Sequence, residues 1–295
     1  MAAATSEPEG PLPVTVVLPV LNEERNLAAA LETVVGWAEE IVVVDSHSTD
    51  RTAEIATAHG ARVVQFDYPG HGPRKRAWLF ANLEFRHEWV FMLDADERVP
   101  SALREEISEA IKRTDVDGFY VDREFVFMGR SLRCFRPNWN LRLIRPQLAG
   151  MEDFGLHGLS ETGDNEIHEH VVIRGRTAHL RQTLIHHDYR SITDWLDRHN
   201  GYCTWEAHLT RRLRGEPIGV GLIGFLRLDT NGRKHALRRL WVRLPGRPLL
   251  RFLVWYFGRR GFLDGWPGLV FCLLMAHHEL TIAIKVRELE AGLPG

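Results

Sequence analysis

The sequence predicts an α/β protein with a Rossmann-like, mostly parallel sheet flanked by helices, followed by a separate helical region. Three observations predict it. Short β-branched runs alternate with helix-patterned segments over about the first 100 residues, the pattern of parallel strands joined by helical crossovers. Two of these runs end in an aspartate, Asp45 and Asp94, at the edge of a parallel sheet where ligands bind. Beyond Arg211 the composition shifts to basic residues and long apolar runs, ending near Val286.

The elements follow in order. Val14-Thr15-Val16-Val17-Leu18-Pro19 is a β-branched run stopped by proline, a first strand. Asn22 is placed to cap the next helix, with Glu23 and Glu24 in its first turn and Leu27, Leu31, Val34 and Val35 as its inner stripe. Ile41-Val42-Val43-Val44 is the second strand. Ser46 to Asp50 offer several caps to a helix from Arg51 to His59, and Gly60 stops it. Arg62 to Phe66 is a third strand, and a glycine-rich loop at Gly70 to Pro73 leads into a helix from Arg76 to Phe85. Trp89-Val90-Phe91-Met92-Leu93 is too short for an ordinary helix and reads as a buried strand. It runs into three carboxylates, Asp94, Asp96 and Glu97. A helix with Leu103, Ile107 and Ile111 on one face follows Pro100, then strands at Gly118–Val121, Phe125–Phe127, Leu141–Ile144 and Val171–Ile173, and a helix from Ser191 to Leu213.

Apolar content of 44% with 26% charged residues is ordinary globular composition. The formal charge of −2 hides an asymmetry, because residues 211–260 hold 13 Arg and Lys against only Glu216 and Asp229. Such a block points to an anionic surface, nucleic acid or membrane. Cys134, Cys203 and Cys272 form no CxxC pair, which removes the zinc-ribbon and dithiol classes and suits a reducing compartment. Residues 1–12 lack a basic start and apolar core and read as a flexible tail rather than a signal peptide. In the last part of the chain, twelve uncharged residues up to Ala276 fall short of the roughly 20 that a spanning helix needs. His277, His278 and Glu279 are expected to interrupt any extension, so this region reads as amphipathic helices lying on a membrane. The expected division is 1–12, 13–207 and 208–295.

The chemistry-bearing residues cluster at strand ends. Asp94 and Asp96 repel each other unless a cation lies between them, and a hard divalent ion bridging to phosphate oxygens removes the repulsion. Asp45 ends its strand at the same edge, beside the hydroxyls of Ser46, Ser48 and Thr49. Arg74, Lys75 and Arg76 stand at a helix start, where cations oppose the macrodipole unless something anionic is near. No GxGxxG follows the first strand and no GxxxxGK[ST] occurs, which weakens dinucleotide and P-loop readings. HExxH is absent too, since Val172 and Ile173 follow His170.

Val17-Leu18-Pro19 with Asn22-Glu23-Glu24, the segment Ile41 to Asp50, and Leu93-Asp94-Ala95-Asp96-Glu97 resemble, in order and spacing, the nucleotide-sugar-binding half of family 2 glycosyltransferases of GT-A fold. Gly70 to Lys75, Leu141 to Arg145, Ile167-His168-Glu169 and Gly261 to Gly265 resemble a bacterial branch that includes lipopolysaccharide inner-core β-glucosyltransferases of the WaaE/KdtX type. The sequence departs from that pattern at His47, where glycine is common, and at Arg74 and Arg76, where Gln and Asn are usual.

The resemblance implies inverting transfer of a sugar from a nucleotide-sugar donor, UDP-linked by family habit, to a lipid-linked saccharide or lipopolysaccharide-core acceptor. It implies Mg²⁺ or Mn²⁺ held by Asp94 and Asp96, and a donor pocket formed by Pro19, Asn22, Glu23, Asp45, Lys75, Asp94 and Ala95. It also implies a general base, Glu169, with Asp153 and Asp188 as rivals. His186, in the run His186-His187-Asp188, is a candidate metal neighbour. The expected place is the inner, cytoplasmic face of the cell membrane, bound peripherally to its anionic surface, with no nucleic-acid partner. The oligomeric state is unassigned. Two other readings share these features: a sugar-phosphate nucleotidyltransferase, and a non-catalytic carbohydrate-binding protein on the same fold.

Overall fold

The computed structural model describes residues 10–67, 75–151, 171–187, 191–217 and 230–293. Among them, 10–151 and 171–187 form one compact unit and 191–293 a second. The expected boundary at 207/208 falls inside a continuous helix, Ile192–Gly215.

The first unit is built on one large sheet. Strands β1 (Leu12–Val20), β2 (Ala38–Asp45), β3 (Arg62–Gln65) and β4 (Trp89–Met92) are parallel neighbours in the order β3-β2-β1-β4. The sheet continues through β8 (Trp139–Ile144), β6 (Gly118–Phe127), β11 (Thr177–His186) and β5 (Glu97–Arg98), with β7 (Arg130–Ser131) beside β6. β8 runs antiparallel to β4 and β6, while β6 and β11 are parallel. A separate ribbon pairs β9 (Ala149–Met151) with β10 (Val171–Ile173).

Period-two alternation divides the core between the two faces. Val16, Leu18, Val43 and Phe91 share one cluster with Leu27 and Leu31 of α1 (Leu27–Leu31), Ala56 of α2 (Thr52–Ala58), and Leu103 and Ile107 of α4 (Ser101–Ala110). Val17, Val42, Val44, Val90 and Met92 share the other with Leu79 of α3 (Lys75–Asn82). All four β4 residues are buried, as a strand covered on both faces requires. β2 and β3 lie to one side of β1 and β4 to the other, so the strand order reverses at β1. In open α/β sheets the crevice beyond the strands' carboxyl ends at such a point holds the ligand.

Three expectations change. Asn22 caps no helix: α1 starts only at Leu27, and Asn22 sits at φ +53° in a preceding turn. Gly118–Val121 and Phe125–Phe127 are one strand, β6. β11, not anticipated, buries only Leu180, Leu184 and His186 of its ten residues.

The second unit is helical. Ser191 caps α5 (Ile192–Gly215) by accepting the Asp194 N–H at 3.1 Å. Then come α6 (Thr230–Trp241), α7 (Arg247–Leu253), a π-turn at Val254–Gly258, a 3₁₀ turn at Gly261–Asp264, and α8 (Gly265–Ala291). α5 packs on α8 through Cys203, Ala207, Ile282 and Val286. Gly261 has a packing reason, because a Cβ there would lie 2.7 Å from Cys272 Sγ.

His277, His278 and Glu279 do not interrupt α8, which is 27 residues long. By length and composition, Gly261–Ala291 is long and apolar enough to cross a bilayer. The two buried polar residues, His278 and Glu279, continue the helix because they are partnered. Glu279 accepts Trp241 Nε1–H and Arg251 Nε–H, both at 2.9 Å, and is 3% exposed.

Candidate functional site

The site begins where two loops interlock at the ends of β1 and β2. Asn22 Oδ1 accepts the Thr49 N–H at 2.8 Å, and Ser48 Oγ accepts the Asn22 N–H at 2.8 Å. Thr52 Oγ1 accepts the Glu23 N–H at 2.8 Å, and Asp50 accepts the Glu24 N–H at 3.1 Å. The residues of the two sequence motifs therefore hold each other. Asp45, 1% exposed, accepts Ser48 Oγ–H at 2.5 Å, Ser48 N–H at 3.2 Å and Gln65 Nε2–H at 3.1 Å. His47 has φ +56°, the left-handed region in which glycine carries no penalty.

Pro19 and Val20 pair in register with Val44 and Asp45. Lys75, at the start of α3, is 6% exposed and donates from Nζ to the Val20 carbonyl at 2.6 Å. Its ammonium thus lies at the carboxyl end of β1. The adjacent Arg76 donates to Asp94 Oδ1 at 2.6 Å, so a protein carboxylate answers one of the cations at that helix start.

β4 does not persist through Asp96. Glu97 N–H donates to the Asp94 carbonyl at 3.0 Å, closing a turn over Asp94-Ala95-Asp96-Glu97 and leading into β5. Around this turn stand four guanidiniums: Arg98 of β5 donates to the Ala95 and Glu97 carbonyls at 3.0 and 2.7 Å, and Arg76 of α3, Arg123 of β6 and Arg142 of β8 face its carboxylates. Arg142 Nη2 bridges Asp94 Oδ2 at 2.7 Å and Glu97 Oε1 at 2.5 Å. Arg123 Nη1 lies 3.3 Å from Glu97 Oε1 and 3.6 Å from Asp94 Oδ2. On the other side, His186 Nε2 is 3.3 Å from Asp96 Oδ2.

The charges shift one another. Burial works against ionised Asp94, but Arg142, Arg76 and Arg123 outweigh it and hold its pKa well below the usual carboxylate range. Burial likewise opposes Asp96, and His186 overcomes it, so its pKa is also lowered. Glu97 is fully buried, and there burial prevails with help from Asp94, raising its pKa. Burial also works against charged Arg142, yet Asp94 and Glu97 keep it protonated.

Among the described residues, no group of three or more His, Cys, Asp or Glu side chains converges as a metal cage. Magnesium does not require one, because it binds through one or two carboxylates plus substrate phosphates. Asp96 suits that role: it is ionised, 19% exposed, and touched by His186 on one oxygen. Both oxygens of Asp94 are engaged by guanidiniums. The donor set fits a hard divalent ion carried in with phosphate.

Residues 15–164 match the family described as Glycosyl transferase family 2. The chain belongs to that family. The transferase is 29% identical over 274 residues to the lipopolysaccharide core biosynthesis glycosyltransferase LpsC of Rhizobium meliloti, covering 90% of this chain and 91% of the relative. It is 26% identical over 279 residues to an uncharacterized glycosyltransferase of Rickettsia typhi, covering 91% and 84%. Among solved structures, it aligns with the mannosyltransferase PcManGT of Pyrobaculum calidifontis, in complex with GDP-Man and Mn²⁺, at 16% identity. That alignment covers 96% of this chain and 89% of the other, with a TM-score of 0.47. The transferase has the expected mostly parallel sheet flanked by helices.

Of the residues expected to form its site, Pro19, Asn22, Glu23, Asp45, Lys75, Asp94, Ala95 and Asp96 all lie at the carboxyl ends of β1, β2 and β4 or on the loops and helix start beside them. Glu169 and its rivals Asp153 and Asp188 lie outside the described residues, as does Arg74. Sequence reasoning gave Glu97 no role beyond a third carboxylate and missed Arg123 and Arg142 as members of the cluster. The signal available for Arg142 was a charge inside the apolar run Leu141-Arg142-Leu143.

Proposed function

We propose that this glycosyltransferase moves a hexosyl group, with inversion, from a nucleotide-sugar donor, UDP-linked, to a lipid-linked saccharide or lipopolysaccharide-core acceptor. The observation that carries the reading is the carboxylate and guanidinium cluster at Asp94, Asp96, Arg76, Arg123 and Arg142, next to the switch point of the sheet. The name of the Rhizobium meliloti relative supports the acceptor class.

Arg76, Arg123 and Arg142 are engaged by the carboxylates of Asp94 and Glu97, so a diphosphate arriving there calls for a further countercharge. Asp96, with Asp94 beside it, would hold a divalent cation, Mg²⁺ or Mn²⁺, which would supply Lewis-acid stabilisation of the departing diphosphate. Arg76 and Arg142 fix the Asp94 carboxylate, and the clasped loops at Asn22 and Ser48 set the shape of the nucleoside pocket around Pro19, Glu23, Asp45 and Ala95. Lys75 adds positive charge beside it. The acceptor oxygen attacks the anomeric carbon from the face opposite the leaving group. The bond to the diphosphate oxygen breaks with its electron pair, and the acceptor proton passes to the base, Glu169.

Residues 13–207 would carry this chemistry and 208–295 the approach to the acceptor. Trp266, Leu273, Leu280 and Ile284 are exposed at helical spacing along one side of α8, and the basic block of 211–260 precedes them. An apolar stripe combined with cations suits peripheral attachment to the cytoplasmic face of an anionic membrane.

The test is isothermal titration of the full chain with UDP, GDP and CDP, each with Mn²⁺ or with EDTA. Metal-dependent binding of UDP, lost in Asp96→Asn, is the expected result. Binding of none of the three would overturn the reading. Glu169→Gln should keep nucleotide binding and lower kcat about 10² to 10⁴-fold, the contribution of a positioned base.

A further inference from the structure

A cavity of about 540 Å³ lies within the helical unit, among α5, α6, α7 and α8. That volume is in the range of small-molecule sites, which combine apolar walls with a few fixed polar groups. Leu209, Val242 and Leu244 form apolar wall, and Leu237 and Leu240, 54% and 47% exposed, form part of its border. Arg238, Arg247 and Arg251 bring three cations to it, and Glu206 and Glu279 bring two anions.

Among the described residues, the buried guanidinium of Arg247 is short of an acceptor. Glu206 is 3.6 Å from His278 Nε2, and although burial opposes the imidazolium, bonds to Cys203 and Glu206 push the His278 pKa up to about 10. Glu206 therefore has its own countercharge. Glu279 serves both Arg251, which donates to it from Nε at 2.9 Å, and Arg247, whose Nε lies 3.6 Å away. Arg247 is 4% exposed, and among the described residues its Nη2 has no hydrogen-bond partner. A buried N–H of a charged group left without an acceptor is costly. An anionic oxygen entering the cavity supplies the acceptor and the charge together. A guanidinium recognises phosphate oxygens well, through parallel hydrogen bonds.

The apolar walls say what the anion is attached to. We propose that the cavity binds a phosphate-bearing lipid, with Arg247 and Arg251 on the phosphate and Leu209, Leu240 and Val242 along the first carbons of its chain. A bilayer phospholipid and the phosphorylated lipid of a glycan acceptor share this chemistry. The site is independent of the sugar-transfer reading, since none of its residues belongs to the carboxylate cluster of the sheet.

The test uses the full chain and dodecyl phosphate below its micellar concentration, titrated calorimetrically, with dodecyl maltoside and inorganic phosphate as controls. One saturable site for dodecyl phosphate is expected. Arg247→Gln should weaken it about ten- to hundredfold, the worth of a hydrogen bond to a charged group. Leu237→Glu changes only an exposed border position, should fold with an unchanged melting temperature, and should weaken binding by repelling the phosphate. Lipid extracted from the purified protein, identified by mass spectrometry as phospholipid or as phosphorylated glycolipid, distinguishes the two sources. The proposal is overturned if dodecyl phosphate does not bind at one site, or if both variants bind it as the wild type does. Equal affinity for inorganic phosphate would overturn the lipid assignment.

Discussion

Arg142 is the residue whose removal tests the account of the carboxylate cluster most sharply. It is 4% exposed and its Nη2 touches Asp94 at 2.7 Å and Glu97 at 2.5 Å, Glu97 being fully buried. Arg142→Met keeps an unbranched apolar stem and removes the guanidinium and its charge. Taking away one partner of a buried ion pair costs about 3 to 5 kcal/mol, because the other charge is left uncompensated. Arg123 remains 3.3 Å from Glu97, which places the expectation at the lower end, about 3 kcal/mol. Urea unfolding followed by tryptophan fluorescence measures it. Glu97→Gln in the same background should recover about 1 to 2 kcal/mol, since the charge left behind is gone, and a double-mutant cycle reads that coupling.

The pH dependence gives the argument a sign. Burial raises the Glu97 pKa, so the folded state binds more protons than the unfolded one between the two pKa values, and stability falls as pH rises through that window. Without Arg142 the folded pKa rises further and the window extends upward. The deficit of Arg142→Met should therefore be larger at alkaline than at acidic pH, since protonation of Glu97 removes the charge left behind. A loss under about 1 kcal/mol, or one that is equal at alkaline and acidic pH and additive with Glu97→Gln, would refute the reasoning.

The clasp between the two loops makes two further predictions. Ser48→Ala removes the acceptor of the Asn22 N–H and a donor to Asp45, and should cost about 1 to 3 kcal/mol for two hydrogen bonds, read as a lower melting temperature. His47 holds φ +56° and pairs only at the surface with Asp67. His47→Gly should leave stability within about 1 kcal/mol, whereas His47→Val should lose more than about 1 kcal/mol because a β-branched residue resists that conformation. The same denaturation assay decides both.

What the sequence makes legible here follows from where each charge finds its countercharge. Strands β1, β2 and β4 are readable because they are buried on both faces and therefore written as unbroken apolar runs, and Asp45 and Asp94 are readable because they stop those runs. Arg142 is not: in Leu141-Arg142-Leu143 a lone charge reads as a solvent-facing position of a half-buried strand, and its carboxylate Glu97 is 45 residues away. β11 fails for a related reason, since only Leu180, Leu184 and His186 of its ten residues are buried and no apolar run marks it. In α8 the error takes the opposite form. Glu279 reads as a break in an apolar segment only while Arg251, 28 residues earlier, is out of view. Local pattern counts apolar residues, and a buried ion pair is invisible to it from either end. Both the carboxylate cluster of the sheet and the cavity of the helical unit are built on such pairs. Arg142 and Glu279 are misread from the sequence for this one reason, and such buried charge is retained at a cost that burial alone does not offset.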